Sequence, residues 1–321
     1  MQKDSAIQRF GIWTAILLIL GVLLPIIIPR GGLMFPNFEL LGIAGVPFTL
    51  KLYLFFPIIG GILCFAALAQ QKWMIRGILY LIAGFLPYLI GLTMQGESLL
   101  MGRQMTMGGM GFGVSGALTG IVGLTFPLGL IGLISAAFAG QANPRNKIVP
   151  WVALGGGGLL GLSMLIPISM PGSRGFVNIL ISPITAIAEE QIFIAILLLI
   201  LVVCLVIAAV SGIIWGLKAK DGVNKSRVIK LTLRIGFIQL LVFGILALLV
   251  EAADGGEFFA AAVMIVPAAF KMVGMLVGPF FAKCLGVTEL IAWQGADLPP
   301  AGGDSTEVKM TNPPSDPNPF A

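Results

Sequence analysis

Lys271 is the residue whose position most directly suggests chemistry. It lies within the apolar segment 258–282, about 13 residues from the predicted outer end, or roughly 18–20 Å deep at the helical rise per residue. The centre of a hydrocarbon core is about 15 Å from either edge. A lysine at that depth usually faces a cavity or a partner charge on a transport or binding path. The alternative interpretation is that Lys271 snorkels to the interface, or that Pro267 breaks the helix and brings the lysine there.

Five carboxylates form a second candidate set, at the predicted outer ends of two consecutive apolar segments. They are Glu189, Glu190, Glu251, Asp254 and Glu257. If those two segments are neighbours in space, the carboxylates would attract cations or bind Ca²⁺. The alternative interpretation is a solvated acidic rim that binds no ligand.

Several kinds of chemistry are disfavoured by residue usage. The chain contains no histidine, the commonest general base and metal ligand. Cys64, Cys204 and Cys284 fall in or beside apolar segments without CxxC spacing, so they are predicted to be buried free thiols. We therefore predict no catalytic residue, no cofactor and no metal site, and we do not expect an enzyme.

The composition is that of a membrane protein. The mean hydropathy is +1.03, and 58% of the 321 residues are hydrophobic whereas 10% are charged. The charged residues cluster between apolar segments of about 20 residues, the length that crosses a bilayer. The net charge of +5 resides mainly at the ends of these segments, so it indicates membrane orientation and not nucleic-acid binding.

The predicted fold is an all-α integral membrane protein, a polytopic bundle of about eight transmembrane helices with short loops and a disordered-type C-terminal tail. The membrane domain comprises residues 1–285, and a Pro/Gly/Asn-rich tail comprises 286–321, because its composition cannot bury enough apolar surface to fold alone. The last segment contains Pro267 and Pro279, so re-entry instead of spanning is the alternative for it. The predicted spans are 10–28, 52–69, 77–94, 114–139, 148–170, 191–217, 231–250 and 258–282.

A basic loop between the sixth and seventh spans sets the predicted orientation. Its basic residues are Lys218, Lys220, Lys225, Arg227, Lys230 and Arg234. Under the positive-inside rule this loop is cytoplasmic and its side chains contact anionic lipid headgroups. Both termini then lie on the cytoplasmic side of a bacterial-type inner (plasma) membrane. All five tryptophans, including Trp215, are predicted at the inner membrane interface.

Two functions are compatible with these features. The first is a non-enzymatic structural or accessory subunit of a larger membrane assembly, for which glycine pairs such as Gly157/Gly161 predict close helix packing. The alternative is a transporter or channel for a small solute or ion that uses Lys271 and the outer-face carboxylates. The predicted partners are the lipid bilayer and other membrane-protein subunits, and nucleic acid is not among them.

Overall fold

A computed structural model describes most of the apolar part of the chain, and that part is helical. The described residues are 5–27, 48–100, 114–144, 146–166, 168–169, 176–189, 192–218, 222–253 and 277–293. Within these ranges the one other regular element is a two-residue antiparallel strand pair. The predicted helical class is therefore confirmed.

The helices are numbered here in chain order, with the two short strands between α5 and α6. Their bounds are α1 Ser5–Ile27, α2 Phe48–Ala69, α3 Trp73–Leu100, α4 Val114–Ala142, α5 Ile148–Leu165, β1 Ile168–Ser169, β2 Phe176–Val177, α6 Ser182–Ala188, α7 Ile192–Lys218, α8 Gly222–Ala253 and α9 Gly278–Trp293.

Each of the first seven predicted spans overlaps one of these helices. The largest difference is at α8, which begins at Gly222, inside the predicted basic loop, whereas the sequence placed the seventh span at 231–250. By length and composition, three described stretches are able to cross a membrane: Thr125–Ala142, Ile148–Leu165 and Ile192–Lys218, the last with a mean hydropathy of 3.6.

The last helix differs most from the prediction. The sequence placed a span at 258–282 and a tail from 286, whereas α9 runs from Gly278 to Trp293 and crosses the predicted domain boundary. Thr288 and Glu289 made this stretch resemble a polar tail in the sequence. In the structure both side chains are buried. Leu285 and Ala292, which lie one helical turn to either side, are buried too. The helix therefore continues through Thr288 and Glu289. Residues 254–276, including Lys271, lie outside the described residues.

Helix α9 lies between two groups of helices and contacts both. It packs against α1 and α3 on one side and against α4 on the other, and α4 in turn contacts α5 and α8. Ala282 and Leu285 of α9 belong to the core cluster of α1, α2 and α3. Cys284 and Ile291 of the same helix belong to the core cluster of α4, α5, α7 and α8. We therefore call α9 the bridging helix.

Glycines set the closest approaches between helices. A Cβ on Gly84 of α3 would lie 2.8 Å from the Lys283 backbone nitrogen of the bridging helix. A Cβ on Gly156 of α5 would lie 2.7 Å from the Leu133 backbone nitrogen of α4. Backbones meet directly at both places, and a side chain there would push the helices apart.

Of the predicted glycine pair on α5, only Gly157 lies at a close contact between helices. A Cβ on Gly157 would lie 2.6 Å from the Ala209 carbonyl oxygen of α7, whereas a Cβ on Gly161 would meet nothing within 4 Å. The close α5–α7 contact thus involves Gly157 without its partner four residues later.

The described part of the bundle is apolar on its outside as well as in its core, and it encloses a few charged and polar side chains. Large apolar side chains are exposed along α7, including Ile196, Leu199 and Val203. Charged and polar side chains such as Arg76 and Glu289 are buried. A surface of this kind is stable where the surroundings are themselves apolar.

Two of the tryptophans are exposed and one is in the core. Trp13 and Trp151 are 63% and 70% exposed, which agrees with their predicted positions at an interface. Trp215 is 2% exposed and packs in the larger core cluster against Gly140. Its prediction as an interfacial residue was wrong, because the missing side chain at Gly140 leaves room for the indole.

Candidate functional site

The bridging helix is held by a buried ion pair with α3. Arg76 lies in the first turn of α3 and Glu289 in the last turn of α9, and the two helices run antiparallel. Arg76 Nη2 is 2.7 Å from Glu289 Oε2, and the two side chains are 7% and 4% exposed. At that distance and burial the contact is a charge-assisted hydrogen bond. Arg76 also lies at the negative end of the α9 dipole, where a cation is favoured.

Tyr80 extends this contact to α1. It lies one helical turn after Arg76 on α3, and it is 1% exposed. Its hydroxyl occupies the space that a Cβ on Gly11 of α1 would take. The ion pair is thereby enclosed by three helices.

Two asparagines cap the C-terminal end of the bridging helix. Asn143 and Asn146 lie in the turn between α4 and α5. Asn143 Nδ2 donates to the Ala292 carbonyl at 3.0 Å, and Asn146 Nδ2 donates to the Ile291 carbonyl and, at 3.3 Å, to that of Ala292. The last carbonyls of a helix have no partner within it, so these amides satisfy them.

Asn146 also fixes the start of α5. Its Oδ1 accepts a hydrogen bond from the Ile148 amide at 2.8 Å, while its Nδ2 binds the end of α9. One buried side chain therefore joins the start of one helix to the end of another.

Polar contacts continue along the middle of the bridging helix. Ser135 Oγ of α4 donates to the Cys284 carbonyl at 3.0 Å, and Thr288 Oγ1 donates to the same carbonyl at 2.6 Å. Lys283 is 8% exposed, and its Nζ is 5.1 Å from the centroid of the Phe85 ring of α3. Lys283 precedes the end of α9 at Trp293 by ten residues, or about 15 Å along the helix axis.

A group of phenylalanines in ring contact and one lysine connects four helices. Lys230 Nζ of α8 donates to Gln141 Oε1 of α4 at 2.6 Å and lies 4.1 Å above the Phe138 ring. Phe138 stacks on Phe10 of α1 at 5.0 Å, and Phe10 contacts Phe281 of α9 edge-on at 5.0 Å. We call these residues the Lys230–phenylalanine cluster.

The structure places the sequence-predicted basic residues as follows. Lys218, Arg227 and Arg234 are exposed, and Lys225 is half-buried. Lys230 is directed into the bundle, so not all of the predicted headgroup lysines are on the surface. Lys220 lies outside the described residues.

The beginning of α8 lies beside the end of α4. Ser226 Oγ donates to the Ala137 carbonyl, and Lys230 binds Gln141. The basic beginning of α8 therefore shares one end of the bundle with the Asn143–Asn146 turn, the end of α9 and Arg76.

The acidic set is described only in part. Glu189 follows α6 and is exposed, and Glu251 lies in the last turn of α8. The predicted site residues that lie outside the described residues are Glu190, Asp254, Glu257 and Lys271.

Metal chemistry is not indicated by the residues that the structure describes. Cys64, Cys204 and Cys284, which are all the cysteines of the chain, are buried free thiols. Among the described side chains, no three acidic or cysteine residues lie close enough together to hold a metal ion.

The sequence interpretation missed the residues that hold the bridging helix. Glu289 was assigned to the tail, and Asn143 and Asn146 were treated as ordinary turn residues. A signal was present: Leu285, Thr288 and Ala292 are three or four residues apart, which is helical spacing and predicts one buried face.

No protein-family model matches the chain, and neither a curated protein nor a solved structure is significantly similar to it.

Proposed function

We propose that the protein is a polytopic membrane protein in which the eight predicted segments cross or enter the bilayer. The support is the distribution of polarity. Apolar side chains cover the outside of α7, and the charged pair Arg76–Glu289 is inside the bundle. Buried hydrogen-bonded charges are the form in which a membrane bundle tolerates ionisable residues. The cytoplasmic side would be the end that carries the beginning of α8, with both termini there, in a bacterial-type inner membrane.

Within that membrane the protein acts as a non-enzymatic structural or accessory subunit of a larger assembly. The observation that carries this proposal is the Arg76–Glu289 pair, which joins the two groups of helices through α9. Two asparagines support the same helix: the half-buried Asn143 and the buried Asn146 bind the carbonyls at the end of α9. Side chains with such partners fix a shape, and a fixed shape is what an accessory subunit offers to its neighbours.

The segment that follows the bridging helix in the sequence is a candidate for partner binding by its composition. Residues after Trp293 are rich in Pro, Gly, Asp and Asn, a composition suited to binding a partner by ordering on contact. The proposed partners are therefore other membrane-protein subunits together with the lipid bilayer, and nucleic acid has no part in the proposal.

Native mass spectrometry after extraction in a mild detergent tests the subunit proposal. An affinity tag at the N-terminus would leave the α9 end free for partners. We expect additional chains in a fixed stoichiometry with this one. A monodisperse particle that contains this chain alone, extracted under conditions that keep other membrane complexes intact, would contradict the proposal.

A second candidate function, transport of a small solute or ion, is favoured by Lys283. This lysine is buried at about 15 Å from the end of the bridging helix, a depth at which ionisable residues often line an ion path. If this function is correct, Lys283→Met and Lys271→Met will each abolish a proton or chloride flux in reconstituted vesicles. The exposed Lys218→Met is the control and should retain the flux. Vesicles of the unaltered protein that show neither flux would count against transport of these ions.

A further inference from the structure

The segment between β2 and α7 presents a row of isoleucines to the surroundings. Helix α6 packs on α7 through its buried face, which contains Pro183 and Ala186. On the other face Ile181, Ile184 and Ile187 are 50%, 64% and 59% exposed. A spacing of three residues puts these three on one side of the helix. We call them the isoleucine ridge.

The ridge is held in place by local hydrogen bonds. The Asn178 carbonyl accepts the amides of Ile181 and Ser182, both at 3.0 Å. Ser182 Oγ donates to the Ile179 carbonyl at 2.7 Å, and Thr185 Oγ1 donates to the Ser182 carbonyl at 2.9 Å. The hydroxyl donors of α6 are thus satisfied within the segment, which suits an environment that offers few hydrogen-bond acceptors.

Helix α7, against which α6 packs, also exposes apolar side chains. Ile192, Phe193 and Ile196 at the start of α7 are 66%, 62% and 51% exposed. These residues follow the ridge in the sequence. They belong to α7, which has the highest mean hydropathy of the candidate spans. The same medium that covers α7 would therefore cover the ridge.

We propose that α6 lies at the interface between membrane and water, on the outer side of the membrane. The isoleucine ridge inserts there among the lipid acyl chains. The proposal rests on the proposed membrane function. A second copy of the chain is the weaker occupant, because the ridge lies on a helix that packs against α7, and lipid that covers the exposed apolar side chains of α7 would also reach the ridge. Glu189, which is exposed directly after α6, marks the polar edge of the segment.

Spin labels on added cysteines in lipid vesicles test this placement. The three native cysteines are buried, so brief labelling of the folded protein addresses the added thiol, and the unsubstituted protein measures any background. The three variants are Ile184→Cys on the ridge, Glu189→Cys at the polar edge and Val203→Cys on the outer face of α7. Collision with dissolved oxygen reports lipid, and collision with a water-soluble nickel complex reports water.

We expect the label at 184 to collide with oxygen several-fold more than with the nickel complex, and the label at 189 to show the reverse. A label at 184 that favours the nickel complex, or that neither reagent reaches, would overturn the lipid contact of the ridge. If 203 still favours oxygen in that case, the membrane proposal stands. If 203 favours the nickel complex, the proposed membrane function itself fails.

Discussion

Arg76 and Glu289 are 213 positions apart in the sequence, and their side chains meet at 2.7 Å in the interior of the bundle. Each lies at the end of its helix, α3 for the arginine and α9 for the glutamate. The contact therefore closes the bundle between the earliest helices and the last described one. Its strength should be visible in stability measurements.

Removing one partner of this pair should be more damaging than removing both. Glu289→Leu or Arg76→Met alone leaves a buried charge without its counter-charge and should cost about 3–5 kcal/mol, whereas the double variant should recover part of that loss. The measurement is unfolding in mixed micelles of mild detergent and dodecyl sulfate. The exposed Arg227→Met is the control. Single variants as stable as the control would show that the pair does not hold α9.

The asparagine caps should make unequal contributions. Asn146→Ala removes two carbonyl contacts of α9 and the bond to the Ile148 amide, so it should cost about 1–3 kcal/mol through unsatisfied buried groups. Asn143→Ala removes one hydrogen bond, to the Ala292 carbonyl, and should cost less. Thermal unfolding in detergent ranks the two. A larger loss for Asn143→Ala would contradict the capping role assigned to Asn146.

Alanine substitution should change the stability of the protein in opposite directions at two nearby glycines of α5, Gly156 and Gly158. Gly156→Ala places a Cβ 2.7 Å from the Leu133 backbone nitrogen, whereas Gly155 and Gly158 have open space around the added atom. We expect Gly156→Ala to destabilise the protein. Gly158→Ala should be neutral or more stable by up to about 1 kcal/mol, because alanine is the better helix former. Equal thermal stability of the two variants would show that α4 and α5 do not pack backbone to backbone.

Lys230 should matter more than its exposed neighbours in the basic segment. Lys230→Met loses the Gln141 hydrogen bond and the contact with the Phe138 ring, so we expect a cost of about 1–2 kcal/mol. Lys218→Met should be close to neutral, because Lys218 is exposed. Chemical unfolding of both variants in detergent makes the comparison. Should Lys218→Met be the more damaging change, the Lys230–phenylalanine cluster would have no stabilising role.

The helices could be predicted because an apolar chain that leaves water must satisfy its own backbone hydrogen bonds. The run 191–217 has nearly the same bounds as α7, Ile192–Lys218. The bridging helix could not be found in this way, because Thr288 and Glu289 interrupt its apolar run. What buries them is Arg76 and the helices around it, and hydropathy contains no information on such distant partners.

The site was harder to predict than the fold for a related reason. Arg76 precedes the predicted span 77–94 and Asn146 lies between two predicted spans. Polar residues are expected at both places, so their types carry no signal. Their roles arise only when the end of α9 comes within hydrogen-bond distance. Lys283 directly follows the last predicted span, 258–282, whereas in the structure it is buried within α9, which continues to Trp293.

The position of Glu289 has a consequence for biosynthesis. A ribosome completes Arg76 long before it reaches Glu289, 213 residues later, and domains generally form in the order of synthesis. During that interval the arginine needs a temporary partner, such as water or a lipid phosphate, and the two groups of helices lack the contacts that α9 makes with both. Docking of α9 exchanges that partner for Glu289, so the buried ion pair forms only after α9 has been synthesised.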